Sequence, residues 1–222
     1  YDDVAATFTN FAMSGIDKLH FGLEAAVSIP LYRSLALNGA VSWGQYTYDS
    51  NPYYLQTQDN SGDIVSDGYV YWKDFRVEST PQTAVNVGLS WRSNNNIYLS
   101  ADFNYYNNMY LSMSPIYRTD AVITGGMAPG DIEHLRRQEK FDSAYTLNAS
   151  IGKNWYIHRK YTLGFSLDVK NILNNQDIKT GGYEQTRLSK NTETTVTTYQ
   201  AFDSKYFYMF GTTYYLNLYF RF

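Results

Sequence analysis

The chain has 222 residues, of which 44% are hydrophobic and 18% aromatic, so it can form one domain with a large apolar surface. The formal net charge of −3 argues against a nucleic-acid partner, which would require a basic surface. The lack of cysteine excludes a disulfide framework and a cysteine-based metal site. No transmembrane helix is predicted, because the sequence contains no run of about 18 apolar residues.

Alternation of apolar and polar residues with period two predicts an all-β fold of eight strands. The predicted strands cover residues 3–12, 19–29, 35–48, 82–92, 97–111, 142–156, 161–173 and 206–222. The first strand alternates weakly. The last alternates clearly, with Leu218 and Phe220 on one face and Asn217 and Tyr219 on the other. Its alternating part is about the length that crosses a bilayer at a tilt.

The predicted connections alternate in length. Short turns fall at 31–34, 93–96 and 158–160, and long loops fall at about 50–81, 113–140 and 174–205. In an up-and-down arrangement all the short turns lie at one end, together with the end of the last strand. This asymmetry is typical of a transmembrane antiparallel β-barrel, in which the short turns face the periplasm.

The polar faces of the predicted strands are rich in Asn, Ser, Thr and Gly, which suits the lumen of such a barrel. A solvent-facing sheet of a soluble sandwich, the alternative, would carry more Lys and Glu. Aromatic residues such as Tyr32, Trp43 and Trp155 lie near strand ends, as in the girdles of membrane barrels. The charged and histidine residues predicted to form a polar network in the lumen are His20, Glu24, Asp102, Asp168 and Lys170.

The long loops are predicted to hold exposed aromatic side chains that contact a substrate or a partner that closes the barrel. These candidates are Tyr53, Tyr54, Tyr69, Trp72, Tyr117 and Tyr183. Packing of the loops against one another is the alternative role. No catalytic residues, cofactor or metal site are predicted, since none of the three histidines has metal-ligand spacing and no nucleophile accompanies His134.

Three segments resemble TonB-dependent outer-membrane receptors of Bacteroidetes. Residues 14–24 (SGIDKLHFGLE) are similar to a stretch of their barrel. Residues 171–175 (NILNN) with 180–185 (TGGYEQ) are similar to their penultimate strand and last loop. Residues 216–222 (LNLYFRF) resemble their C-terminal strand, whose terminal aromatic residue is shared by many outer-membrane barrels.

The resemblance implies a Gram-negative outer-membrane location and a 22-stranded barrel around a plug. Residues 1–222 would form about the last eight strands, with the plug absent. The implied function is TonB-dependent import of a glycan, a peptide or another scarce nutrient. The implied partners are membrane lipid, the rest of the receptor, TonB through the missing N-terminal part, and, in SusC-like members, a SusD-like lipoprotein. Alternatives are a self-contained eight-stranded barrel with an adhesion or structural role, an outer-membrane hydrolase, and a soluble lectin domain.

Overall fold

The computed structural model describes residues 7–158, 160–190 and 197–222. The chain is predominantly antiparallel β-structure, as the alternation predicts. The strands are β1 (Thr9–Ser14), β2 (Lys18–Tyr32), β3 (Leu35–Tyr48), β4 (Tyr53–Gln58), β5 (Ile64–Tyr69), β6 (Thr83–Arg92), β7 (Ile97–Asn107), β8 (Ala144–Ile157), β9 (Tyr161–Lys170), β10 (Lys179–Lys190), β11 (Thr197–Tyr208) and β12 (Thr213–Arg221). The helices are α1 (Asp120–Thr124) and α2 (Pro129–Leu135), and a 3₁₀ turn covers Pro115–Arg118.

Seven strands form one antiparallel sheet in the order β12-β9-β8-β7-β6-β3-β2, here called the wall. The turns between β2 and β3, β6 and β7, and β8 and β9 are short and lie at one end of the wall. Arg221 of β12 pairs with Thr162 of β9, so β12 ends at this same end. The three long connections leave from the opposite end, and the predicted asymmetry of loop length is therefore present.

The register of the wall keeps the apolar residues of neighbouring strands on one face. Leu37 of β3 pairs with Ile29 of β2 and with Leu89 of β6. Phe103 of β7 pairs with Val87 of β6 and Leu147 of β8 in the same way. Many of these side chains are exposed; Leu23, for example, keeps 75% of its surface and Leu218 70%. The wall therefore has a continuous apolar side, which we call the apolar face, and an opposite polar face.

The wall is not closed into a barrel within the described residues, because β2 and β12 are its two edges and do not pair with each other. The predicted strand at 3–12 does not join it: residues 1–6 lie outside the described residues, and β1 pairs with β4. Phe11 of β1 stacks on Tyr54 at 5.2 Å between ring centroids, which favours this pairing. The total of 22 strands remains a prediction.

The long connections, together with β1, form a folded assembly at one end of the wall, which we call the loop layer. It contains the sheet β1-β4-β5, the hairpin β10-β11, the two helices and the 3₁₀ turn. The predicted loops at 50–81 and 174–205 thus hold strands that the alternation did not reveal. The three buried apolar clusters are centred on Tyr54, Leu111 and Leu135, in or beside this layer. No helix in the described part of the chain is long and apolar enough to cross a membrane.

Asparagine residues end two of the wall strands earlier than the sequence predicts. Asn108 and Asn171 adopt left-handed backbone conformations, with φ of 57° and 52°, which stop β7 and β9 before residues 111 and 173. The predicted strand 206–222 is also divided, with 206–208 in β11 and 213–221 in β12. Asn171 Nδ2 donates to Phe210 O at 3.1 Å, and Thr212 N donates to Asn174 Oδ1 at 3.1 Å, so these backbone groups are paired within a turn.

Candidate functional site

The polar face of the wall is cross-linked by hydrogen bonds between side chains on neighbouring strands. Asn38 accepts from Ser28 Oγ at 2.8 Å and donates to Ser90 Oγ at 3.1 Å, joining three strands. Asn104 accepts from Asn86 Nδ2 at 2.8 Å and has a longer contact of 3.4 Å to Thr146 Oγ1. Such cross-strand pairs stabilise a sheet and leave the remaining polar atoms available to water or a ligand.

Two tyrosines of the polar face cover glycines of neighbouring strands. Tyr98 of β7 covers Gly152 of β8, and its hydroxyl reaches Phe165 O of β9 at 3.4 Å. Tyr219 of β12 covers Gly164 of β9 and donates to Asn154 Oδ1 of β8. A Cβ at either glycine would meet the tyrosine ring, so the glycines provide the space for these contacts.

The five residues predicted to form the lumen network share the polar face but do not form one cluster. Glu24 accepts from Ser42 Oγ at 3.3 Å, and the His20 ring lies 4.8 Å from the Tyr46 ring. The carboxylate of Asp102, on β7, lies over Gly88, its partner on the neighbouring strand β6. In register, Asp168 pairs with Ser150 and Tyr215, and Lys170 with Thr213, so these residues are spread across the wall. Within the described ranges no ion pair joins Asp168 and Lys170, and a role for these five residues stays a prediction.

In the loop layer, Arg118 holds three segments together. Its guanidinium forms a bidentate ion pair with Glu184 of β10, with distances of 2.9 and 2.6 Å. It also donates to Leu135 O at 2.9 Å and to Ser114 O at 3.0 Å, and lies over the Phe75 ring at 5.6 Å. The side chains of Arg118 and Glu184 are only 3% and 15% exposed. A buried charge pair with this many hydrogen bonds fixes α2 and the β10-β11 hairpin relative to each other.

Arg118 and Glu184 line a cleft of about 740 Å³ between the segment after α2 and the hairpin, here called the loop cleft. Its lining includes three aromatic residues and many residues that can donate or accept hydrogen bonds. Its other lining residues are Leu111, His134, Arg137, Gln138, Glu139, Gln185, Thr186, Tyr199, Ala201, Phe202, Asp203, Ser204 and Tyr206. Aromatic rings beside amides, hydroxyls and charges of both signs suit a polar organic ligand of moderate size.

Glu139 connects one side of the loop cleft to the other. It accepts from Tyr206 Oη at 2.7 Å and from Ser204 Oγ at 3.2 Å, and lies 3.5 Å from Lys179 Nζ. The ammonium of Lys179 also lies 3.7 Å from the centroid of the Tyr206 ring. Burial, followed by the hydrogen bond to Glu139, raises the pKa of Tyr206 above its ordinary value of 10.0. Tyr206 therefore stays a neutral hydrogen-bond donor at neutral pH.

The six aromatic residues predicted to be exposed separate into three groups. Tyr54 and Trp72 are buried, at 0% and 7% exposure, in the cluster that joins the β1-β4-β5 sheet to β3, so the prediction that they are exposed is wrong. Tyr53 and Tyr69 are exposed side by side on β4 and β5, with ring centroids 5.8 Å apart. Tyr117 and the exposed Tyr183 line a second cleft of about 550 Å³ on the hairpin, beside Phe202.

The sequence did not single out Arg118, Glu184, Tyr199, Phe202 or Tyr206. Arg118, Glu184, Tyr199 and Phe202 belong to segments predicted to be loops, and Tyr206 is the first residue of the strand predicted at 206–222. Their proximity depends on how α2 packs on the hairpin. Of these five residues, only Glu184 lies in a segment, residues 180–185, that resembles TonB-dependent receptors. Across the described residues, no group of three or more His, Asp or Glu side chains is arranged to hold a metal ion.

No protein-family model, curated protein or solved structure matches the chain.

Proposed function

We propose that the chain is part of the barrel wall of an outer-membrane TonB-dependent receptor that imports a scarce nutrient such as a glycan or a peptide. The observation that carries the proposal is the opposite polarity of the two faces of the wall, which the register maintains over seven strands. The apolar face is left uncovered by the loop layer. The polar face carries the hydrogen-bonded residues expected of a wet lumen.

The dimensions of the apolar face support a membrane location. Seven strands about 4.8 Å apart make a surface roughly 30 Å wide. The ten residues of β6, rising about 3.3 Å each and tilted by about 45°, span roughly 23 Å along the membrane normal. This is close to the band of about 25 Å that barrels present to lipid. An exposed apolar area of this size exceeds what soluble monomers ordinarily carry.

Three further observations favour a segment of a larger receptor over the alternatives. The wall has two free edges, β2 and β12, which require further strands for closure in a membrane. The loop layer presents clefts at the end that would face outward. The resemblance of residues 14–24, 171–175 and 216–222 to TonB-dependent receptors points to the same protein class.

The membrane part of the proposal is tested with two neighbouring substitutions near the middle of β3. Val41 is exposed on the apolar face between Ala25 and Val85, whereas Ala40 is exposed on the polar face between Ala26 and Asn86. Val41→Arg should destabilise the folded receptor by about 2–4 kcal/mol, the cost of a cation facing lipid near the bilayer midplane. The matched control Ala40→Arg should cost less than about 1 kcal/mol, because its side chain enters the open space of the polar face.

The folded fraction of the full-length protein in outer membranes is measured by its heat-modifiable electrophoretic mobility. Its stability is measured by urea titration. Equal tolerance of both substitutions, or a larger loss from Ala40→Arg, would overturn the assignment of the apolar face to lipid. The transport part is tested by growth. A strain lacking the full-length receptor should lose growth on a glycan or peptide that its parent uses, and removing TonB from the parent should cause the same loss.

A further inference from the structure

The end of the wall that carries the short turns has an unusual charge pattern. We call it the short-turn rim and define it as residues 28–36, 90–98, 153–162 and 219–222. The chain as a whole has 21 acidic and 18 basic residues, yet the rim contains no Asp or Glu. Its charged residues are Arg33, Arg92, Lys153, Arg159, Lys160 and Arg221, of which Arg159 lies outside the described residues.

Among the residues that the structure describes, the rim cations form no ion pair. The four ion pairs found among the described residues all lie in the loop layer, where most acidic residues are also located. On the wall, the acidic residues nearest the rim are Glu24, Asp102 and Asp168, which lie four to six residues further along their strands. The rim is therefore a band of uncompensated positive charge, and an anionic partner would be attracted to it.

Three of the rim cations lie over aromatic rings on the apolar side of the wall. Arg33 Cζ lies 5.0 Å from the centroid of the Tyr32 ring, and Lys160 Nζ lies 5.3 Å from that of Tyr161. Lys153 Nζ lies 5.1 Å from that of Trp155. Contacts of this length are within the range of cation–π attraction.

The register places the three rings on the apolar face. The register of β2 against β3 shifts between Pro30 and Tyr32, so that Tyr32 pairs with Leu35. Trp155 pairs with Leu163, and Tyr161 pairs with Ile157. Each cation is therefore held at the border between the apolar face and the turns. Lys153 is four residues from the end of β8, so its stem crosses apolar surface before the ammonium reaches this border.

We propose that the short-turn rim binds the phosphate groups of anionic phospholipids in the membrane leaflet that it meets. The inference rests on the proposed membrane location of the wall. The acyl chains would lie against the apolar face, the aromatic rings would lie at the depth of the interface, and Arg33, Lys153 and Lys160 would contact the phosphates. Lipid fits better than an acidic protein, because all three cations border the surface that faces the bilayer.

The proposal is tested by the lipids that the full-length protein retains. The protein is reconstituted into vesicles of equimolar phosphatidylcholine and phosphatidylglycerol, extracted in mild detergent, and its bound phospholipids are quantified by mass spectrometry. Phosphatidylglycerol should be enriched over phosphatidylcholine by about fivefold or more, the effect of roughly one basic residue near an anionic surface. The combined variant Arg33→Gln, Lys153→Gln and Lys160→Gln should reduce this enrichment toward one.

Two controls separate lipid binding from loss of fold or of net charge. The variant Arg136→Gln, Arg137→Gln and Lys140→Gln removes the same charge from the loop layer and should retain the enrichment. The variant Arg33→Lys, Lys153→Arg and Lys160→Arg keeps the rim charge and should also retain it. In the unaltered protein the enrichment should fall as salt rises, because these cations are near the surface.

The outcomes are distinguishable from failure of the proposed function. If the unaltered protein enters vesicles as a heat-modifiable barrel but retains the two lipids equally, the rim inference is wrong and the membrane wall stands. The same conclusion follows if the loop-layer variant loses as much enrichment as the rim variant. If the protein does not insert into vesicles at all, the membrane wall itself is wrong.

Discussion

Replacing Arg118 by methionine should open the loop layer without unfolding the wall. The substitution leaves the Glu184 carboxylate without its bidentate partner at a site where it is 15% exposed, and it removes the donors to Leu135 O and Ser114 O. Removing one member of a buried ion pair costs about 3–5 kcal/mol. The exposed pair of Lys73 and Asp49, at 3.8 Å and more than half exposed on both sides, should cost less than about 1 kcal/mol when broken.

The loss should be local, because the hydrogen bonds of Arg118 to Leu135 and Glu184 join α2 to the β10-β11 hairpin within the loop layer. Native-state hydrogen exchange of the full-length protein, read by peptide mass spectrometry, measures such local opening. A loss of about 3 kcal/mol corresponds to roughly a hundredfold faster exchange of hairpin amides or more. Peptides from β7 and β8 in the wall should exchange at unchanged rates.

Two matched variants decide whether the ion pair is the cause. Lys73→Met removes a cation of the same layer and should leave hairpin exchange nearly unchanged. Arg118→Met combined with Glu184→Leu removes both charges, and should recover part of the stability that Arg118→Met loses, since an apolar pair carries no unpaired charge. The reasoning is refuted if Arg118→Met accelerates exchange no more than Lys73→Met, or if the double variant is no more stable than Arg118→Met alone.

Two further predictions concern the polar face and the loop cleft. Gly152→Ala should destabilise the wall by about 1–3 kcal/mol in urea titration, because the added Cβ displaces the Tyr98 ring, whereas Gly39→Ala, where only ordinary contact arises, should not. Because the pKa of Tyr206 is raised in the folded state, its contribution to hairpin stability is fully present below about pH 10 and is lost as the pH rises above that value. Tyr206→Phe should reduce the alkaline loss of hairpin stability, to which Tyr199 also contributes because burial raises its pKa. The measurement is the urea midpoint of hairpin unfolding, reported by a fluorophore on the hairpin, from about pH 8 to 11; an unchanged pH profile would show that Tyr206 is not responsible.

The wall was predictable from sequence because its residues obey one local rule over long stretches. The strand predicted at 35–48 coincides with β3, since every second residue from Leu35 through Trp43 is apolar or glycine. Register followed from the same rule, because a shift by one residue would move all these side chains to the other face. The sequence pattern also predicted which strands are joined by short turns, and the structure has short turns between these strands.

The loop layer was not predictable in the same way. The strands of the hairpin alternate poorly, and their pairing depends on contacts such as Arg118 with Glu184, which are 66 residues apart in sequence. Tyr54 and Trp72 were expected to be exposed because they lie in a polar, loop-like stretch. They are buried because they pack with Tyr48, whose ring stacks on that of Trp72 with 4.5 Å between the ring centroids. The alternation of polar and apolar residues does not predict a contact of this kind.

The distribution of buried side chains implies that the two parts of the chain are stabilised by different surroundings. The loop layer has its own apolar clusters, centred on Tyr54, Leu111 and Leu135, and a buried ion pair. The wall, by contrast, exposes the apolar side chains that alternate along its strands, so it gains little from burial within the chain. Its stability must come from hydrogen bonding between strands and from whatever covers the apolar face. A cation at Val41 should therefore act through the membrane, whereas loss of Arg118 should act in either membrane or detergent.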